Sequence, residues 1–208
     1  IASLCNGITS EQKIAERFGW QRTVLGICQG MDAVFLNNEL TYGRPGEIRF
    51  GAAPDTDPAV VVDIAELYSR AGIAHVVEPD IKRRMWTKLM MNVGINQTCM
   101  VYGGTYGSAT ECGSEQRRSL VAAMREARVV ANAEGVAIAE SDLSQMVELL
   151  ETLDPAGMPS MAQDRIARRK TEVEEFSGTI CRLAAEHGIE VPQNEWLYQR
   201  IREIEASW

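Results

Sequence analysis

The chain has 208 residues, a net charge of -8 and 45% hydrophobic residues, enough to fill a core in one large domain or two small ones. The acidic balance, with no stripe of Lys and Arg, argues against general nucleic-acid binding. No apolar run approaches the ~18 residues of a membrane span and no signal peptide is visible, so the sequence predicts a cytoplasmic protein with neither nucleic acid nor membrane as partner.

Cys5, Cys28, Cys99, Cys112 and Cys181 are scattered and form no CxxC pair, which fits a reducing compartment. With only His75 and His187 beside them, no metal site is expected. The first residue is Ile rather than Met and already lies in an apolar run, IASLCNG. That start predicts a fragment whose upstream portion is missing.

In chain order, Ile1 to Leu4 reads as a buried strand leading into the loop Cys5-Asn6-Gly7. Thr9 or Ser10 should cap a short helix carrying Ile14 and Phe18 and closed by Gly19. Thr23 to Cys28 reads as a second strand, giving the strand-helix-strand order of a parallel α/β unit. Ala33 to Leu36, Leu40 to Tyr42 and Glu47 to Phe50 read as short antiparallel edge strands, with Gly43-Arg44-Pro45-Gly46 as a turn. Asp57-Pro58 opens a helix with Val60, Val61, Ile64, Leu67 and Tyr68 and a stop at Gly72. Ile73 to Val77 is the last strand, and the domain boundary is placed at about residue 79.

The segment from Asp80 onward organises the rest. Ile81, Met85, Leu89 and Val93 recur every four residues behind an Asp80 N-cap, so an amphipathic helix is expected. Lys88, Asn92 and Asn96 share that spacing and fall within a sector of roughly 80° on one side of it. Asn is a poor helix former. Two of them beside a lysine read either as a plain polar face or as hydrogen-bond donors aimed into a cleft.

Gly103, Gly104 and Gly107 lack the order of a phosphate-binding loop and read as a helix exit. Ser114 should cap a helix with Leu120, Met124, Ala127 and Ala131 inside and Gly135 at its end. Ser141 should cap the next, with Leu143, Met146, Val147 and Leu150, ended by Asp154-Pro155. Ser160-Met161-Ala162-Gln163 and Thr171-Glu172-Val173-Glu174 are capping-box patterns. The second opens a helix with Val173, Phe176, Ile180 and Leu183, and a last helix carries Leu197, Ile201 and Ile204. The basic run Arg165 to Lys170 reads as a complement to its helix's dipole.

Among polar residues, Asn6 is either part of a plain Asn-Gly turn or a ligand-facing residue past a strand end, where open α/β sheets bind ligands. Ser160, at a helix start, is either a capping serine or part of an anion site of unpaired N–H groups. Glu172 is an ordinary first-turn acid or an acceptor for a substrate hydroxyl. Lys88 is either a solvated lysine on a helix surface or the group that protonates an alkoxide as a nucleophile or hydride adds to a carbonyl.

Together these residues resemble the ketopantoate reductase (2-dehydropantoate 2-reductase) family. The resemblance covers nearly all of the chain and rests on an ordered set: Asn6-Gly7, KLMMNVGIN from Lys88 to Asn96, SMAQD from Ser160, Thr171-Glu172, and HGIEVPQNEWLY near the end. It implies the C-terminal remnant of a Rossmann-like α/β domain over 1–79, followed by an all-α domain over 80–208. That all-helical substrate and dimerisation domain would be of the 6-phosphogluconate dehydrogenase C-terminal-like type. The implied activity is NADPH-dependent reduction of ketopantoate to pantoate in pantothenate and coenzyme A biosynthesis, with a small 2-oxo acid as substrate and a homodimer formed through the helical domain.

By the same resemblance Lys88 matches the catalytic lysine, Asn92 and Asn96 the asparagines lining the substrate site, and Ser160 the substrate-binding serine. Glu172 matches the glutamate that engages the substrate or cofactor side of the cleft, and Asn6 an asparagine between cofactor and substrate. Cys5 stands where the family commonly has Gln, and Gln97 and Gly103-Gly104 depart after Asn96. The G-x-G-x-x-G strand-turn that cradles NADP pyrophosphate is not in the sequence, so the chain alone is expected neither to bind NADPH well nor to turn over. Reduction of another branched 2-oxo acid, or a non-catalytic helical dimerisation module, are the alternatives. Dehydrogenases of the 6-phosphogluconate or 3-hydroxyacid type lack the paired asparagines together with S-M-x-x-D and T-E.

Overall fold

The computed structural model describes residues 1–31, 33–36 and 38–208, with the backbone alone at 34–36. The chain divides into two compact units, Ile1–Met85 and Trp86–Trp208.

The first unit is a mixed α/β layer. Strands β1 (Val24–Met31), β4 (Pro45–Ala52) and β5 (His75–Val77) form a sheet in the order β1-β4-β5, and β2 (Val34–Leu36) pairs with β3 (Glu39–Thr41) as a separate hairpin. β1 and β4 run antiparallel in a register that sets Val24 opposite Ala52 and Cys28 opposite Ile48. β4 and β5 are parallel, with Phe50 opposite Val77. Because side chains alternate along a strand, Val24, Ile48 and Phe50 share one face. There Val60, Val61, Ile64 and Tyr68 of helix α2 (Pro58–Arg70) cover them. Ile27 faces the other way and packs with Ile81 and Met85.

Helix α1 (Ser10–Phe18) ends at Gly19, whose φ of 85° suits glycine. Asp57 caps α2 as expected, its carboxylate accepting the Ala59 N–H at 2.9 Å. Three expectations need correction. Ile1 to Leu4 is not a buried strand: Ala2 alone bridges Val24, in parallel, and Ile1 and Leu4 are exposed. Leu67 also points outward from α2, away from the sheet-facing stripe. Phe18 is exposed, and Ala15 and Glu11 are the buried residues of α1.

The second unit is helical. Helix α3 (Ile81–Tyr102) starts in the first unit, where Asp80 Oδ1 accepts the Arg83 N–H at 3.1 Å. It is followed by α4 (Tyr106–Thr110), α5 (Glu115–Ala133), α6 (Glu140–Glu151) and α7 (Ser160–Ala167). A five-residue π turn, Glu174–Gly178, then leads into α8 (Thr179–His187), and α9 (Pro192–Ala206) closes the unit. No strand follows β5 among the described residues.

α3 is not amphipathic along its length. Every residue from Asn92 to Met100 is buried, so a polar stripe here lies inside the protein and must be satisfied there. Gly94 allows this close packing, because a Cβ on it would come within 2.5 Å of Met124 Cγ and 3.0 Å of Leu120 O on α5. The stripe Leu120, Met124, Ala127 and Ala131 is fully buried, and Ser114 caps α5 through the Arg117 N–H at 3.0 Å. Ser141 does not cap α6. The helix begins earlier, because Asp142 reaches back to the Ala139 N–H at 2.8 Å and closes the end from inside.

Candidate substrate site on the long buried helix

Asn92 and Asn96 lie one turn apart on α3, 6% and 5% exposed. Asn96 Nδ2 donates to Asn92 Oδ1 at 3.3 Å. Asn96 Oδ1 accepts from Ser160 Oγ at 3.0 Å and from the Met161 N–H at 3.2 Å. A backbone N–H can only donate, so the oxygen of Asn96 must face Met161 and its nitrogen must face Asn92. The result is a directional relay: Ser160 donates to Asn96, which donates to Asn92.

This corrects the reading of Ser160 as a capping residue. Pro159 occupies the cap position and offers no side-chain acceptor. The orphan N–H of the first turn is met instead by Asn96, from another helix. Gln163 does not close a capping box either, since its amide donates to Met158 O at 3.0 Å. The Met161 N–H goes to Asn96, and those of Ala162 and Gln163 go to Pro159 O, so these three are not open to an anion. Ser160 is exposed. Its hydroxyl hydrogen is committed to Asn96, so its oxygen is what it presents outward, as an acceptor.

Lys88 is half-buried, one turn before Asn92 on the same side of α3. Four residues rise about 6 Å along the helix, so the lysine and the relay occupy one stripe. Glu172, also half-buried, precedes the π turn, and its carbonyl accepts the Glu175 and Phe176 N–H groups at 3.0 and 3.1 Å. The capping box expected at Thr171 does not form. Thr171 Oγ1 accepts the Val173 N–H at 3.4 Å, but Glu174 turns away to Tyr198 Oη at 2.8 Å and to Arg202 at 3.3 Å. Thr171 is anchored by Glu205, whose Oε1 accepts its N–H at 2.8 Å and its hydroxyl at 2.7 Å.

Two further residues frame the stripe. Arg165 donates to Met100 O and Val101 O at 2.6 and 2.7 Å, so it closes the C-terminal end of α3 rather than only complementing its own helix. Asp164 pairs with Arg169 at 2.9 Å; burial pushes its carboxyl above the usual range and Arg169 pulls it back. Burial pushes the Cys99 thiol up to about 12, which leaves it no nucleophile at neutral pH.

Asn6 is half-buried in the first unit, beside Gly7 at φ 91°. The loop lacks the G-x-G-x-x-G order of a pyrophosphate cradle. No group of His, Cys, Asp and Glu suited to a metal ion occurs among the described residues, and no described helix is long and apolar enough to cross a membrane.

A family model described as the C-terminal domain of ketopantoate reductase PanE/ApbA matches residues 80–205. The 2-dehydropantoate 2-reductase of Halobacterium salinarum is 27% identical over 202 residues, covering 97% of this chain and 66% of that protein. The structure of 2-dehydropantoate 2-reductase from Geobacter metallireducens is similar with a TM-score of 0.87 at 26% identity, over 98% of this chain and 67% of that one. That of dimeric ketopantoate reductase from Staphylococcus aureus gives 0.86 at 22% identity, over 100% and 68%. The chain spans about half to two thirds of the length of the curated relatives it matches. These likenesses carry the fold, a Rossmann-like α/β portion followed by the helical domain, and with residues 80–205 matched the chain belongs to the ketopantoate reductase family.

Proposed function

We propose that this chain supplies the substrate-binding and proton-donating side of an NADPH-dependent reductase that converts 2-dehydropantoate to pantoate. The observation that carries the reading is the relay from Ser160 through Asn96 to Asn92, one turn from Lys88 on a helix that belongs to this family. Two buried amides on one helix cost stability unless every polar atom has a task. Here they fix the serine and the lysine stripe in register.

In this reading a bound nicotinamide would be the source of the hydride that C2 of the 2-oxo acid accepts. Lys88 lies beside the keto oxygen, stabilises the charge that develops as the C=O π bond opens, and transfers a proton from Nζ to that oxygen. One hydride and one proton add, and the lysine regains its proton from solvent. The relay assigns polarity to the rest of the site. Ser160 Oγ and the Glu172 carboxylate are acceptors, suited to a substrate hydroxyl, while the ammonium and the Asn92 amide are donors, suited to the keto acid end. Asn6 is assigned to the cofactor side, and a homodimer through the helical unit belongs to the same reading.

The test is NADPH and NADH oxidation by the gene's full product, with ketopantoate set against other branched 2-oxo acids. Turnover of ketopantoate that collapses in Lys88→Ala is the expected result. Preference for a different oxo acid would keep the mechanism and change the substrate. Absence of turnover with all of them would replace the reading with a non-catalytic helical module.

A further inference from the structure

Gln97 follows Asn96 on α3 and points about 100° away from the asparagine stripe. It is fully buried. Its Oε1 accepts the Ser177 N–H at 3.2 Å and its Nε2 donates to Val93 O at 2.8 Å. Both partners fix the amide's orientation, since a flip would set N–H against N–H and oxygen against oxygen. Ser177 sits in the π turn, where the Gly178 N–H reaches back five residues to Val173 O at 3.0 Å. Single π turns are irregular pieces of backbone held by their surroundings. Here the surroundings are polar and continuous. Ser177 Oγ donates to Asn194 Oδ1 at 2.9 Å, Asn194 Nδ2 donates to Glu126 Oε2 at 2.7 Å, and Glu126 accepts the Gln193 and Asn194 N–H groups at the start of α9.

The same turn carries Glu172, through the bonds its carbonyl accepts from Glu175 and Phe176. We propose that Gln97 is a positioning residue for the reduction: it ties the turn bearing Glu172 to the helix bearing Lys88, Asn92 and Asn96, and so sets the span between the proton donor and the acceptor of the substrate hydroxyl. This rests on the roles given to Lys88 and Glu172 above. Gln97 touches no substrate and acts through Ser177. A misplacement of about 1 Å at such a span costs as much as hundredfold.

The experiment compares Gln97→Met, which keeps the volume and loses the acceptor, with Glu172→Met, which does the same at the carboxylate, and the double variant, in the gene's full product with ketopantoate and NADPH. Gln97→Met should raise KM for the oxo acid about tenfold, with kcat and the KM for NADPH held within about twofold. In the Glu172→Met background it should add almost nothing, because a residue acting through Glu172 has no effect once that acceptor is gone. Gln97→Asn, whose amide stops one methylene short of Ser177, should show the same split. Independent, multiplicative effects would overturn the proposal, as would unfolding of both Gln97 variants, which would assign Gln97 to stability alone. If Glu172→Met itself leaves ketopantoate reduction unchanged, the site reading fails, and with it the basis of this one.

Discussion

Ser160 Oγ rests on Asn96 Oδ1 at 3.0 Å across 64 residues of sequence, and the adjacent Met161 N–H shares the same oxygen. One buried amide therefore caps α7 from another helix and aims the serine. Asn96→Ala should remove both bonds and leave Asn92 Oδ1 without this donor. The expected cost is about 1–3 kcal/mol, that of a lost cap plus a buried polar atom left unmet. Asn96→Asp keeps an acceptor for α7 and should recover part of it. Urea unfolding checks this, and an unchanged midpoint in Asn96→Ala would show that the cap contributes nothing.

Gly94 poses two opposed effects. Alanine is a better helix former by roughly 1 kcal/mol, yet its Cβ would sit 2.5 Å from Met124 Cγ and 3.0 Å from the Leu120 carbonyl. Overpacking of a tight core costs about 1–3 kcal/mol, and the carbonyl belongs to a helix that cannot turn aside. Gly94→Ala should therefore lower the thermal midpoint. A rise would mean that α3 and α5 separate more easily than this contact implies.

Much of the fold was legible because its signals are local. Asp57-Pro58, Asp80 and Ser114 cap the helices expected of them, and the buried stripe of α5 follows its spacing. What sequence hid was set by distant partners. The Ser160 pattern resembles a cap, but the acceptor comes from Asn96, 64 residues away. The Lys88-Asn92-Asn96 stripe was visible, whereas its polarity needed the Met161 N–H to fix it. The helix expected to open at Thr171 begins as a π turn, and the contacts there come from distant residues: Glu205 accepts the Thr171 N–H, and Gln97 accepts that of Ser177 within the turn. Gln97 stood out as a departure after Asn96, but no spacing rule links it to Ser177.

Arg165 carries a stability role separable from substrate binding. Its guanidinium meets the Met100 and Val101 carbonyls at 2.6 and 2.7 Å, groups that the end of α3 cannot satisfy within the helix. Hydrogen bonds to charged groups contribute about 1.5–3 kcal/mol. Arg165→Met should lose that much while keeping the side chain's apolar stem. Both bonds come from one nitrogen, Nη1, and Arg165→Lys, a charged donor on a shorter side chain, should recover only part. Faster amide exchange confined to the last turn of α3 would identify the site of loss, and uniform exchange rates would refute the assignment.

Glu11 makes the opposite contribution in the first unit. It is 1% exposed, its Oε2 accepts from Ser10 Oγ at 3.0 Å, and its Oε1 has no partner. Burial raises its pKa above the ordinary 4.5, and bonds from its own N–H, Ser10 and the Gly26 backbone only partly offset this. Between 4.5 and the folded value the native state therefore binds more protons than the unfolded one. Stability is full below 4.5 and is lost as pH rises through that window, and above it the penalty is complete. Glu11→Gln removes the charge while its amide oxygen can still accept from Ser10. The variant should unfold at higher urea than the parent at neutral pH, and the gap should close as pH falls toward 4.5. A gap that is absent at neutral pH, or that widens on acidification, would mean that the carboxylate is better solvated than its burial implies.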